Sequence, residues 1–124
     1  MLQGPQHASA SHLSWYLGGF RYELTDEESI QRGIEEALRM GDFEFEREAR
    51  LSAADRPDFL VQGVAIEVKR QGRLNSLLRQ LARYAAHDRV LELLVVTARM
   101  QATDLPSELN GKPIECLVLL GSVF

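Results

Sequence analysis

Apolar residues recur at helical spacing in two stretches of the 124-residue chain. Ile30, Ile34, Ala37 and Leu38 form the first stripe, and Leu74, Leu77, Leu78, Leu81 and Ala85 the second. Thr25 followed by Glu28 reads as a capping box, in which each side chain caps a backbone N–H at a helix start. The first stripe therefore predicts a helix from about Asp26 to Met40, stopped by Gly41. The second predicts a helix from Leu74 to His87. Between them the period changes. Residues 42–48 alternate apolar and charged at their start, which suits a half-buried strand. Ser52 to Arg56 supplies turn residues. Residues 58–62 and 64–69 are two apolar runs divided by Gly63, which predicts a tight hairpin. Residues 91–97 are continuously apolar, as in a strand buried on both faces. Residues 98–113 are rich in loop formers, and 114–120 read as a final strand. Residues 1–20 keep no period and read as a flexible N-terminal arm, with Trp15, Tyr16, Leu17 and Phe20 docking its end. Residues 21–124 are left as one domain. The predicted order is helix, three strands, helix, strand, strand. That is an α/β (α+β) arrangement, a mixed central sheet flanked by helices.

Composition adds limits. A chain this long holds one core and needs no metal or disulfide staple. Its single cysteine, Cys116, excludes an internal disulfide and leaves a Cys/His zinc cage without ligands. No apolar stretch reaches the roughly 20 residues of a membrane span. The first fourteen residues lack the basic start and apolar centre of a secretory signal, so a cytoplasmic, reducing setting is expected. The net charge of −4 argues at first against a nucleic-acid partner. Its distribution argues otherwise. Residues 23–58 carry 12 acidic side chains against 5 basic, whereas residues 69–89 carry six basic side chains against Asp88 alone. An acidic half facing a basic helix suits metal-dependent phosphate chemistry, although two ordinary solvated faces would give the same counts.

The chemistry concentrates in residues 56–69. In a strand, Glu67 and Lys69 point to the same face and Ile66 and Val68 to the other. A hairpin at Gly63 brings Asp58 alongside. Two carboxylates and an ammonium then converge at one sheet edge, and the carboxylates are hard oxygen ligands suited to Mg²⁺, with Mn²⁺ as a substitute. Such a metal polarises a phosphoryl oxygen and acidifies a bound water, which a neighbouring lysine orients or deprotonates. An exposed Glu–Lys pair and a turn aspartate are the simpler alternative. Against it, the charges interrupt an otherwise buried run. Lysine is also scarce, with only Lys69 and Lys112 among 14 basic residues.

Pro57-Asp58, eight intervening residues, and then Glu67-Val68-Lys69 resemble the motif of the PD-(D/E)XK nuclease superfamily. Gln80 and Tyr84, four apart on the second helix, resemble the Gln-x-x-x-Tyr motif of its RecB-like branch. The resemblance covers about residues 25–97 and implies a restriction-endonuclease-like core of order αβββαβ, here followed by a further strand. It implies that Asp58 and Glu67 hold metal with the Val68 carbonyl and that Lys69 activates water. Gln80 and Tyr84 then brace the site or touch substrate. Members often carry another acidic residue on the first helix. Glu27, Glu28, Glu35 and Glu36 are candidates, of which Glu27 borders the buried stripe and is preferred; Glu48 is a second candidate ligand.

Arg70, Arg73, Arg79 and Arg83 are candidate phosphate contacts, because guanidinium binds phosphate bidentately. His7, His12 and His87 have no spacing that suggests a triad or metal site. The leading expectation is a Mg²⁺-dependent DNA nuclease, with RNA not excluded, structure-directed rather than sequence-reading, acting as a homodimer and not at a membrane. The first alternative is a module on a nuclease fold that binds nucleic acid or protein without cutting. The second is an assembly protein in which Glu67–Lys69 is only a salt bridge.

Overall fold

A computed structural model describes residues 8–98 and 104–119. Three helices and six strands lie among the described residues: α1 (Ala10–Leu17), α2 (Glu27–Met40), β1 (Glu46–Arg47), β2 (Phe59–Val61), β3 (Val64–Lys69), α3 (Leu74–Ala85), β4 (Glu92–Thr97), β5 (Glu108–Leu109) and β6 (Lys112–Val118). The strands form one mixed sheet of order β1-β2-β3-β4-β6-β5. Pairing is antiparallel from β1 to β3, parallel from β3 through β4 to β6, and antiparallel again for β5. From α2 to β4 the order is helix, three strands, helix, strand, as the hydrophobic pattern predicts. None of the described helices is long and apolar enough to cross a membrane.

The central strands are buried on both faces, and alternation sorts their side chains into two cores. Val64, Ile66, Val68, Leu94 and Val96 face the α1–α2 side, where they meet Leu13, Leu17, Ile30, Ile34 and Leu38. Ala65, Leu93 and Val95 face the α3 side, with Leu77, Leu81, Tyr84 and Ile114. Burying a side chain of leucine size contributes about 1.5–3 kcal/mol, so these two layers hold the sheet from both sides.

The hairpin forms where Gly63 predicts it. Gln62 (φ 48°) and Gly63 (φ 94°) both take positive φ, as a two-residue type I′ turn requires. The register then places Phe59 opposite Ile66 and Val61 opposite Val64. A second hairpin joins β5 to β6 through Asn110 (φ 52°) and Gly111 (φ 78°). It lies in a stretch that reads as loop, because β5 has only two residues and pairs with Pro113.

Three expectations are corrected. The expected arm over residues 1–20 contains a helix: Ser9 Oγ accepts from His12 N–H at 3.0 Å, and Ala10, Leu13 and Leu17 are fully buried. Ala10 N–H also donates to Glu92 Oε1 at 2.8 Å, tying α1 to β4. Eight residues with a three-residue stripe among Ser and His are too few to show a period. Tyr16 docks by donating to the Ala37 carbonyl, whereas Trp15 is 76% exposed. Residues 1–7 lie outside the described residues. Second, Asp26 caps α2, not Thr25: its Oδ1 accepts from Ser29 N–H at 2.8 Å. Asp26 keeps extended backbone, so the helix starts at Glu27 and Glu28 is left to pair with Arg32. Third, only Glu46 and Arg47 of the strand expected over residues 42–48 pair with β2, because Asp42 and Glu48 take positive φ. Phe43 and Phe45 nevertheless pack against the core as their alternation suggests.

Replacement of the fully buried Leu13 by Ala is expected to cost about 2–5 kcal/mol of unfolding free energy in urea titration. An arm free of the core would give no change.

Candidate functional site

Asp58 stands one residue before β2, and extending the hairpin register by one step sets it opposite Glu67. Residues so paired project from the same face. Asp58 Oδ2 accepts from the Val68 N–H at 2.8 Å, taking the place of a ladder carbonyl just before β2 begins. The Asp58 carbonyl in turn accepts from Glu48 N–H at 2.8 Å, so the bend after β1 fixes the Asp58 main chain.

Glu67 lies on the α3 side of β3 and is 5% exposed. Tyr84, the penultimate residue of α3 and also buried, donates its hydroxyl to Glu67 Oε1 at 3.0 Å. Lys69 Nζ lies 3.7 Å from Glu67 Oε2, with its side chain 30% exposed. Burial and then the Asp58 charge push the Glu67 carboxyl up to about 7, against the opposing pull of Tyr84 and Lys69. Burial raises Asp58 as well, with Glu27 adding repulsion, while the Val68 N–H, Lys69 and Arg47 counteract. Burial and the Glu67 charge keep the Tyr84 hydroxyl protonated, and so a donor.

Beside this pair opens a cleft of about 400 Å³ whose walls include Glu27, Lys69, Arg73, Arg79, Gln80 and Arg83. Glu27 Oε2 accepts from the Arg70 N–H at 3.1 Å, so the first residue of α2 is tied to the end of β3. The structure thus brings together Asp58, Glu67, Lys69 and Tyr84, and sets Glu27, Gln80 and three of the four arginines around the adjoining cleft. Arg70 is placed differently: its Nε is spent on the Leu24 carbonyl at 2.7 Å. Glu48 is half-exposed, with Oε1 3.9 Å from Arg56 Nε. Glu28, Glu35 and Glu36 lie elsewhere on α2; Glu35 pairs with Arg39 and Arg47, and Glu36 is exposed.

Among the described residues, no group of three or more His, Cys, Asp and Glu side chains is arranged to hold a metal ion. The acidic pair is the relevant donor set. Mg²⁺ is commonly held by one or two carboxylates and keeps several waters or phosphate oxygens, so Asp58 and Glu67 fit a hard cation without a third side chain.

Two contributors have no signal in the sequence. Asp55 reads as a turn residue, yet it is buried and holds Arg83 and His87. Arg47 lies over the Phe59 ring at 5.1 Å, donates to Glu35 and Gln31, and lowers the Asp58 carboxyl through its charge.

The raised Glu67 carboxyl has a definite sign in stability. Folded, it holds its proton to about pH 7; unfolded, it releases it near the ordinary 4.5. The folded state therefore binds more protons between those values, and stability contributed by protonated Glu67 is lost as pH rises through them. In EDTA, Glu67→Gln should gain on wild type by up to roughly 3 kcal/mol between pH 5 and pH 8, read by urea denaturation. A constant difference would mean that Glu67 is not desolvated.

No family model, no curated protein and no solved structure matches this chain.

Proposed function

We propose that the protein is a divalent-metal-dependent nuclease of the PD-(D/E)XK type that hydrolyses DNA phosphodiesters. The observation that carries this is the pairing of the half-buried Asp58 with the buried Glu67, with Lys69 on the rim, beside a cleft walled by Arg73, Arg79 and Arg83. Two desolvated carboxylates repel each other, and a bound cation would offset that repulsion. Asp58 and Glu67, with the Val68 carbonyl, would hold Mg²⁺ or Mn²⁺. The metal supplies Lewis acidity toward a phosphoryl oxygen and lowers the pKa of a bound water. Lys69, an ammonium paired with Glu67, would orient that water and offset the charge developing on the phosphate. Tyr84 fixes Glu67 through its hydroxyl, and Gln80, one turn earlier, reaches substrate from the cleft wall. Glu27 helps fix the end of β3, and Glu48 fixes the main chain of Asp58.

The cleft lining includes Lys69, Arg73, Arg79, Arg83 and Gln80, and roughly half to two-thirds of protein–DNA hydrogen bonds go to phosphate and sugar. This supports recognition of a nucleic-acid structure such as a flap, junction, nick or end rather than of a base sequence. Cleavage of both strands of a duplex would engage two copies of the chain, and so a homodimer. A module that binds without cutting is the second reading, favoured by the absence of a third acidic ligand among the described residues.

The test is a panel of labelled single-stranded, duplex, flap and nicked DNAs, with matched RNAs, incubated with Mg²⁺, Mn²⁺ or EDTA. Cleavage should need the metal. Asp58→Ala, Glu67→Ala and Lys69→Ala should each lower it by roughly 10²-fold or more while circular dichroism stays native. Full activity in Glu67→Ala would overturn the assignment. Binding without cleavage under every metal condition would favour the second reading.

A further inference from the structure

The cleft arginines are not equivalent. Arg83 Nε donates to Asp55 Oδ1 at 2.9 Å, whereas Arg73 and Arg79 have no such anchor among the described residues. Asp55 is itself held firmly. Its side chain is only 10% exposed, and its Oδ2 lies 3.0 Å from His87 Nε2. Its carbonyl accepts from Leu51 and Ser52, and its N–H donates to Ser52 Oγ at 3.1 Å. His87 and Arg83 hold the Asp55 carboxyl below its usual range, so it stays ionised. Arg83 remains half-exposed on the cleft wall, and its bond to Asp55 uses Nε alone.

That leaves both terminal Nη groups of a planar guanidinium fixed in orientation and without a protein acceptor among the described residues. Two parallel N–H donors of this kind match two oxygens of one phosphate. An unanchored arginine must freeze several rotors to make the same contact, so anchoring reduces the entropy lost on binding. We propose that Asp55 is a positioning residue that holds Arg83 as a preorganised clamp for a backbone phosphate of the bound strand. This rests on the nuclease reading for its ligand but adds a residue outside the Asp58–Glu67–Lys69 set.

The sign of the Asp55 effect makes the test sharp. Removing a negative charge beside an anion site tightens binding if the charge acts only through its field. Loss of a positioning bond weakens it instead. The experiment is fluorescence anisotropy of a labelled DNA hairpin with a single-stranded tail, in Ca²⁺ in place of Mg²⁺, across a salt series. Arg83→Ala should weaken binding roughly tenfold and reduce the salt slope by roughly 0.7–0.9, the share of one phosphate contact. Asp55→Ala, which removes the acceptor, should also weaken binding, although it makes the protein more positive. The double variant should lose little beyond Arg83→Ala, because the two act as one unit. Arg83→Lys, which keeps the charge but not the anchored fork, should resemble Arg83→Ala and supplies the test should Asp55→Ala not fold.

Equal or tighter binding by folded Asp55→Ala, additive losses in the double variant, or wild-type affinity in Arg83→Lys would overturn the positioning role. Wild-type protein that cuts DNA while Arg83→Ala keeps its affinity would do the same and leave the nuclease reading standing. Wild-type protein that neither binds nor cuts any nucleic acid would overturn both.

Discussion

Two carboxylates share one desolvated corner of the sheet, and the neighbouring groups are arranged around their mutual repulsion. Glu67 sits in a strand whose residues from Val64 to Val68 are otherwise apolar and buried, where an ionised group is costly without partners. Tyr84 and Lys69 supply partners for Glu67, and the Val68 N–H with the nearby Arg47 charge supplies them for Asp58. These compensations come from three directions: α3, β3 itself and the end of β1. The corner therefore exists only when the sheet and the α3 layer are assembled together. An acidic pair held partly neutral by burial suits a cation that would restore its charge.

β3 is the element on which the layers converge. Its odd-numbered positions from Ala65 face α3 and its even-numbered positions face α1 and α2. Glu67 is gripped by α3 through Tyr84, and the backbone just past Lys69 is gripped by α2 through Glu27. A displacement of either helix would be felt at the same strand. The cleft lies between these two grips, so its shape depends on packing in both cores.

Most of the fold can be read from the chain because its largest signals are periodic. The stripe from Ile30 to Leu38, the runs at 64–69 and 91–97, and Gly63 between two apolar stretches each have one satisfactory burial. The candidate site is legible for the same reason: Glu67 and Lys69 stand out against an apolar strand, and Asp58 follows from the hairpin. Contacts that join distant segments are not legible. Asp55 looks like any turn residue until Arg83 and His87, some thirty positions on, fold against it. Arg70 looks like a free cation until its Nε meets Leu24, 46 residues earlier. Helix α1 escapes notice because Leu13 and Leu17 are its only large buried residues and its stripe is too short to establish a phase.

The Gln62–Gly63 turn has a consequence beyond its own geometry. In a hairpin closed by two residues, partners are equidistant from the turn, so opposite residues are always an odd number of positions apart. Asp58 and Glu67 meet because the turn sets their separation, and the eight residues between them are a length, not a motif. One residue added to the turn would slip the register and carry Asp58 to the opposite face, toward Ile66 and Val68. Among variants of this sequence, that turn can change its side chains within the limits of positive φ but cannot change its length. Its chain length is thus a coordinate of the chemistry, specified at the end of the hairpin remote from it.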